Sequence, residues 1–273
     1  MGLNIAVCIK SVPDPAYYDK ISIDPKTKTI TRKGIPAIIS PGDKHALEAA
    51  LQLKDQYGGT VTVIGMAPPE AKRELFEALA MGADEAVLLS DRAFAGADTL
   101  ATSYTLAQGL KRNGDFDLVL TGTESADGAT SQVPAQLAEC LGIPHLWNVK
   151  EFALTEQRKI QAKVKLEAAI GEYLITLPAL LAVSREVNKP RYTTAFGIVK
   201  AKGKKLTVID NRELQADAKK IGQQGSPTWP GDIFIASLSR KGQALTGTPE
   251  EIAANLIEKI RAAGITPVVA KEA

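Results

Sequence analysis

Residues 122–134 read GTESADGATSQVP, between the apolar run FDLVLT (116–121) and the helix-like AQLAECLG (135–142). The stretch is rich in Gly, Ser and Thr, carries one Asp, and contains no Lys, His or Cys. Its chemistry is that of holding a ligand rather than breaking a bond. A helix N-terminus carries about half a positive charge and several unpaired N–H groups. With Gly128 admitting close approach, such a terminus can hold a phosphate without a lysine. Thr130, Ser131 and Gln132 can add side-chain donors. Asp127 is awkward beside a phosphate and better suited to a ribose hydroxyl, an adenine amine or the loop's own amides. A blander reading stays open: Ser, Thr and Asp are common N-cap residues, so this is also how a capped helix begins. The stretch lacks the GK[ST] of a Walker A loop and the GxGxxG of a dinucleotide fingerprint.

A second stretch, GADTLATS (96–103), has the same two readings. In one, Asp98 caps a helix and the threonines face solvent. In the other, Thr99 and Thr102 sit one turn apart on the ligand side and donate to a pyrophosphate or a flavin edge. Nothing else suggests bond-making chemistry, so the expected set of catalytic residues is empty, and so is the set of metal ligands. His45 and His145 have no Cys or His partner at metal spacing, and no GxSxG elbow occurs. Cys8, in the run IAVCI, and Cys140, on the apolar side of a helix, read as small core residues. Any reaction here is a cofactor's.

These loops need elements to hold them. LNIAVCI (3–9), VTVIGM (61–66), EAVLLS (85–90) and FDLVLT (116–121) are continuous apolar runs, the mark of doubly buried parallel strands. Helix signals alternate with them. Ser40 serves as N-cap, Pro41 as N1 and Asp43 as N3 of a capping-box-like start, followed by the apolar stripe Leu47, Ala50 and Leu51. Pro68 and Pro69 open a helix with Ala71, Leu75, Ala78 and Leu79 on one face and Gly82 as its C′ residue. Thr99 to about Leu110 forms a third helix. KISIDPKTKTITRKG (20–34) reads as a small surface hairpin around Asp24-Pro25.

The expected fold is therefore α/β, a doubly wound, mostly parallel sheet. Ligands bind such sheets beyond the carboxyl ends of the strands. Here that means residues 10–14, 40–43, 65–68, 91–102 and 122–133. After residue 145 the segments LWNVKEFAL, KIQAKVKL and GEYLITLPALLAVS read as antiparallel strands extending the sheet. From about residue 186 the chain loses domain character, apart from a final amphipathic helix at 248–264 with Thr248 as cap and Glu251 at N3. The division expected is 1–185 for the α/β domain and 186–273 for an arm packing on another chain.

Bulk properties exclude little but do so usefully. A hydrophobic share of 45% with 23% charged residues is ordinary globular composition, and a net charge of +2 gives no general attraction to nucleic acid. The basic run KAKGKK (200–205) reads as a solvated face. Two cysteines make neither a disulfide framework nor a metal cluster. No secretory leader pattern and no apolar run of membrane-spanning length occurs, so a cytoplasmic protein with no membrane insertion is expected.

Taken together, VCIKSVPD (7–14), SPGDKHALEAALQLKD (40–55), APPEAKRELFEALAMGADEAVLLSD (67–91), ADGATSQVPAQLAECLGIP (126–144), NKPRYTT (188–194) and GSPT (225–228) resemble the beta subunits of electron transfer flavoproteins. The resemblance runs over nearly the whole chain and rests on the order and spacing of the motifs. It implies an adenine nucleotide alpha hydrolase-like fold and a heterodimer with an FAD-holding alpha subunit, around which the C-terminal arm wraps. In the simpler members the beta chain holds AMP as a structural nucleotide. In electron-bifurcating members it holds a second FAD, takes a hydride from NADH, and sends one electron to ferredoxin and one through the alpha FAD to a flavin-dependent dehydrogenase.

Asp127, Gly128, Thr130, Gln132 and Val133 match the bifurcating form of the loop, DG-x-T-x-QVG, rather than the acidic AMP form. GADTLATS also looks like the FAD-binding form. Departures are Pro134 for the usual Gly, Thr123-Glu124 for a basic residue followed by Gln, and Ser40 for Asn. By position, the family's nucleotide contacts fall on Cys8, Lys10, Ser40 to Asp43, Met66, and Gly122 to Val133. The dehydrogenase-docking loop maps to about Arg191–Lys200, where Ala195 replaces the anchoring leucine and Phe196 is the candidate replacement. A protein of this kind is an electron carrier subunit rather than an enzyme with its own catalytic side chains. Two other readings are a nucleotide-binding regulatory module without redox role and an independent NAD-dependent dehydrogenase; the long arm argues against the first and the missing GxGxxG against the second.

Overall fold

The computed structural model describes residues 2–20, 22–23, 30–31, 34–229, 231 and 242–265. The chain opens with β1 (Leu3–Cys8) and β2 (Ser11–Pro13), then the two-residue strands β3 (Ser22–Ile23) and β4 (Ile30–Thr31), and β5 (Ala37–Ile39). Helix and strand then alternate through α1 (Pro41–Tyr57), β6 (Gly59–Met66), α2 (Lys72–Met81), β7 (Glu85–Leu89), α3 (Thr99–Asn113), β8 (Leu118–Gly122) and α4 (Val133–Leu141). There follow β9 (His145–Leu154), β10 (Lys159–Lys165), β11 (Ile170–Thr176), β12 (Ala179–Val183), α5 (Ala195–Ala201), β13 (Lys205–Ile209), the short α6 (Asn211–Leu214) and α7 (Pro249–Ala262).

The main sheet runs β11-β10-β9-β12-β8-β1-β6-β7-β13. From β9 to β13 every neighbouring pair is parallel; β10 and β11 add antiparallel strands at one end. The fold is thus the expected α/β, mostly parallel sheet with an antiparallel extension. Its apolar runs are buried on both faces, as parallel strands must be. One core cluster joins Leu118 and Leu120 of β8 to Leu47 and Leu51 of α1 and Leu75 and Leu79 of α2. The other joins Val119 of β8 to Ala6 and Cys8 of β1, Leu106 and Leu110 of α3 and Leu137 of α4. Side chains along β8 therefore alternate between the two faces. Gly82 closes α2 with φ 141°, a conformation glycine adopts most easily.

Three expectations are corrected. GEYLITLPALLAVS is not one antiparallel strand. It divides into β11 and β12 at the cis Leu177–Pro178 bond, and β12 returns to lie parallel between β9 and β8. Burial separates the two: ALLAV is buried throughout, whereas IGEYLIT is largely exposed, as an end strand can be. The chain also keeps its place in the sheet beyond residue 186, because β13 pairs with β7. The contacts divide the chain between Ile233 and Phe234 instead. Within KAKGKK, Lys204 is no solvated charge: its Nζ donates to the carbonyls of Leu79 and Ala83 at 3.0 and 2.5 Å, at the C-terminal end of α2. Burial lowers its pKa.

The small hairpin forms between β3 and β4, with Asp24-Pro25 outside the described residues. In the 234–273 unit, α7 carries the expected capping box, Thr248 and Glu251 each accepting the other's backbone N–H.

The placement of β12 can be checked by stability. Leu181→Ala removes a fully buried side chain and should cost about 2–5 kcal/mol of unfolding free energy. Leu174→Ala, on β11 and 60% exposed, should change it by less than about 0.5 kcal/mol. Urea unfolding of the two variants measures both, and comparable losses would contradict the central position of β12.

Candidate functional site

A cleft of about 340 Å³ lies beyond the carboxyl ends of β6, β1 and β8, and it is walled by the beginnings of α3 and α4. Its volume falls at the lower end of small-molecule sites. Three neighbouring strands supply the floor: Met66 ends β6, Cys8 ends β1, and Thr121 is the penultimate residue of β8. Burial drives the Cys8 thiol far above the usual range, with Asp43 adding to the effect, so it stays neutral.

Asp43 fastens the two central strands at this edge. Its Oδ2 accepts the Lys10 N–H at 2.9 Å and its Oδ1 accepts the Gly122 N–H at 3.0 Å. The expected capping box at α1 is therefore absent. Ser40 is the N-cap residue but makes no side-chain cap bond, and the Asp43 carboxylate serves the ends of β1 and β8. Such close approach depends on Gly122, where a Cβ would stand 2.7 Å from Asp43 Oδ1 and 2.8 Å from the Gly42 carbonyl carbon. Burial raises the Asp43 pKa from 3.8 to about 7, against the pull of the two N–H donors and of the Lys10 charge.

The 122–133 loop crosses above the floor. Lys10 Nζ reaches Asp127 Oδ1 at 2.6 Å and Ser125 Oγ at 3.3 Å. Asp127 Oδ1 also accepts the Gly128 N–H at 2.7 Å, one of the roles considered for it. Burial opposes its ionisation, but Lys10, Ser125 and Gly128 together hold the carboxyl below its usual range. Tyr18 secures the loop from outside by donating to the Ala126 carbonyl at 3.0 Å. Ala129 and Ser131 have φ of 46° and 58°, which turns the backbone sharply before the helix.

The two helix starts differ. At α4 the N-cap residue is Gln132, and no side chain caps the first turn; the capped-start reading of this loop fails. At α3 Asp98 accepts from the Leu100 and Ala101 N–H groups, both at 3.0 Å, as its capping reading held. Thr99 and Thr102 nonetheless face the cleft. Thr99 Oγ1 lies 3.1 Å from Gln132 Oε1, so the two walls touch. Asp98 Oδ2 takes the Thr228 hydroxyl at 2.7 Å and its N–H at 3.1 Å, while Ser226 Oγ accepts the Asp98 N–H at 2.8 Å. Burial works against the Asp98 charge, and these donors, with the Ala101 N–H foremost, still leave its pKa lowered.

Of the residues singled out from sequence, Cys8, Lys10, Asp43, Met66, Thr99, Thr102, Gly122, Gly128, Thr130, Ser131, Gln132 and Val133 line the cleft. Ser40 and Pro41 lie at the foot of α1 off the lining, and Asp127 acts through Lys10 and the loop. Sequence reasoning missed Thr121, which closes an otherwise apolar strand, and the meeting of Ser226 and Thr228 with Asp98. Glu124 lies on the lining, within the 122–133 span expected from sequence, and its Oε2 accepts the Ser131 hydroxyl at 2.9 Å. Phe196 does not pack against the sheet: it is 67% exposed on α5, with Lys200 Nζ 4.4 Å from its ring centre.

Three features of the cleft bear on what it could hold. An uncapped helix start and an ammonium group attract phosphate. The floor is neutral and largely apolar. Thr121 Oγ1 is buried and makes no hydrogen bond among the described residues.

Comparison with known proteins gives a consistent picture. A family model described as an electron transfer flavoprotein domain matches residues 27–214. The electron transfer flavoprotein subunit beta of Clostridium acetobutylicum is 42% identical over 259 residues, covering 95% of this chain and 98% of that protein. Subunit CarD of the caffeyl-CoA reductase-Etf complex of Acetobacterium woodii is 41% identical over 261 residues, covering 95% and 98%. Protein FixA of Azorhizobium caulinodans is 40% identical over 242 residues, covering 86% and 85%.

The Asp43 bridge generates a pH prediction. Its folded pKa of about 7 lies above the unfolded value of 3.8. Between the two the folded state binds the proton more tightly, so this group's contribution to stability falls as pH rises through that window. Wild type should therefore lose stability relative to Asp43→Asn by on the order of 1–3 kcal/mol between about pH 5 and about pH 8. Urea midpoints of both proteins at the two pH values measure the difference, and parallel pH profiles would refute it.

Proposed function

The chain belongs to the electron transfer flavoprotein family, as a relative of its beta subunits, and on that premise we propose that it is the beta subunit of an electron-bifurcating member, with FAD held in the cleft between α3 and α4. The observation that carries this reading is the start of α4, which no side chain caps and which shares the cleft lining with Lys10. Backbone donors left open there suit a diphosphate, with the Lys10 ammonium, held by Asp127, on the same lining. Similarity to CarD, whose name places it in a reductase-Etf complex, supports the same reading.

When bound, FAD supplies the acceptance of a hydride from NADH and its release as single electrons, one to ferredoxin and one by way of the alpha subunit's FAD to a flavin-dependent dehydrogenase. The chain's own residues bind and orient. Asp43 keeps the ends of β1 and β8 together, so that Lys10 and the 122–133 loop present their donors to one place. Gly128 keeps that surface low enough for a phosphate to approach. Thr99 and Thr102 extend the hydroxyl lining towards the second half of a dinucleotide. Asp98 spends its charge on its own helix and on Thr228, which leaves little repulsion for a phosphate nearby.

A second reading is AMP, the nucleotide of non-bifurcating members, and the compact size of the cleft favours it: about 340 Å³ is closer to a mononucleotide than to a whole FAD, which has to project from the mouth. The protein would act in the cytoplasm; among the described residues no helix is long and apolar enough to cross a membrane. Arg191–Lys200 is the proposed docking segment for the dehydrogenase, with Phe196 as its anchor, and the C-terminal residues would pack on the alpha subunit. Family membership removes the grounds for a regulatory module or a free-standing dehydrogenase.

Purification with the alpha subunit and a flavin count tests the proposal. Two FAD per heterodimer and bleaching of the flavin absorbance by NADH are expected; one FAD with one AMP, and no bleaching, would replace it with the second reading. In the same preparation Gly128→Val should lose the cleft nucleotide without loss of fold. An added Cβ meets only Ser125 Oγ at 3.3 Å and Lys10 Nζ at 3.8 Å, so the new bulk enters the cleft rather than the core. Unchanged occupancy would reduce the loop to a helix start. Thr102→Ala should weaken FAD more than AMP.

A further inference from the structure

Two buried hydroxyls, Ser40 Oγ and Thr121 Oγ1, have no hydrogen-bond partner among the described residues. Buried polar groups are paired in more than nine cases out of about ten, so each calls for a reason. Ser40 is away from the cleft lining, but Thr121 is on it and is only 5% exposed. Strand geometry fixes its direction. Leu118 and Leu120 of β8 pack with α1 and α2, Val119 packs with α3 and α4, and a Cβ on Gly122 would meet Asp43 and Gly42. Alternation then turns Thr121 to the α3 and α4 side, into the cleft. The parallel register of Val7 with Leu120 puts Thr121 beside Cys8.

We propose that Thr121 is a ligand-binding residue whose hydroxyl bonds the nucleoside end of the bound adenine nucleotide at the floor of the cleft. This rests on the nucleotide reading above and adds a direction to it. The groups that favour phosphate are Lys10 Nζ, the Gly128 turn and the uncapped start of α4. Thr121 stands beside Cys8 at the strand ends, on a floor that Met66 completes with a second neutral side chain. Neutral side chains offer a phosphate no counter-charge and accept a base or ribose. Inside this low-dielectric pocket a hydroxyl left unpaired destabilises the empty site and gains its bond only when the ligand arrives.

Two effects of opposite sign follow for Thr121→Val, which keeps the shape and deletes the hydroxyl. Stability of the nucleotide-free protein should be unchanged or raised, because nothing in the chain loses a partner. Affinity for AMP, measured calorimetrically on the nucleotide-stripped heterodimer, should fall about tenfold, and affinity for adenosine should fall by the same factor. Thr121→Ser should restore both, and Thr121→Ala supplies the same deletion should valine misfit the strand end. Unchanged AMP affinity in the hydroxyl-free variant would overturn the proposal while wild-type binding left the nucleotide reading intact. Loss for AMP alone, with adenosine unaffected, would overturn it by assigning the hydroxyl to the phosphate. If wild type bound neither probe and carried no adenine nucleotide, both readings would fall together.

Discussion

A single carboxylate holds the cleft edge together. Asp43 has two acceptor oxygens, and each takes a backbone N–H from the end of a different central strand. These are the positions where β1 and β8 leave the sheet, and their amides lose the partners that the ladder supplied further back. Unpaired and buried, each would cost about 1–3 kcal/mol. Asp43 satisfies both from the first turn of α1, where the helix dipole also favours a negative charge. Everything above the floor is referred to this point. Lys10 takes its direction from the strand end that Asp43 holds, and Gly122 begins the loop that meets Lys10 again at Asp127.

The cleft divides by chemistry into a neutral floor and a polar roof. Side chains that end strands make the floor, and the sheet that carries them is close-packed on both faces, so its geometry is stiff. Backbone groups and short hydroxyl side chains make the roof, which belongs to loops. Two helices meet there with unequal starts. Asp98 satisfies α3 internally, whereas no side chain caps α4. The sequence left a capped and an open reading at both starts; folding gives the capped one to α3 and the open one to α4.

The far side of the molecule uses the same device for another segment. Glu48, buried within α1, accepts the Arg191 backbone N–H at 3.0 Å and its Nε at 2.8 Å, and Arg191 also reaches Asp55 at 2.8 Å. Asn188 adds bonds to His45. Glu48 is buried and would be left without these donors if Arg191 were removed. It therefore pins the chain just before α5, the helix on which Phe196 and Val199 stand exposed. Among the described residues nothing covers these two side chains.

Local pattern was enough for much of this. Continuous apolar runs announced parallel strands because burial on both faces leaves no room for polar alternation. Small residues at GADTLATS and ADGATSQV marked where the chain had to pass close to a ligand, and most of the residues so marked line the cleft. What the sequence could not decide were partners far apart along the chain. Asp43 looked like a cap because Ser40 and Pro41 stand next to it, but its bonds go to residues 33 and 79 positions away. Thr121 looked like the end of a strand until folding set it at the cleft, and the GSPT motif gave no sign that Thr228 would bond Asp98. ALLAV could not be placed in the middle of the sheet from its own residues, since strand order depends on which edges remain open when it arrives. Periodicity records which face of an element is buried; only the assembled sheet settles what that face is buried against.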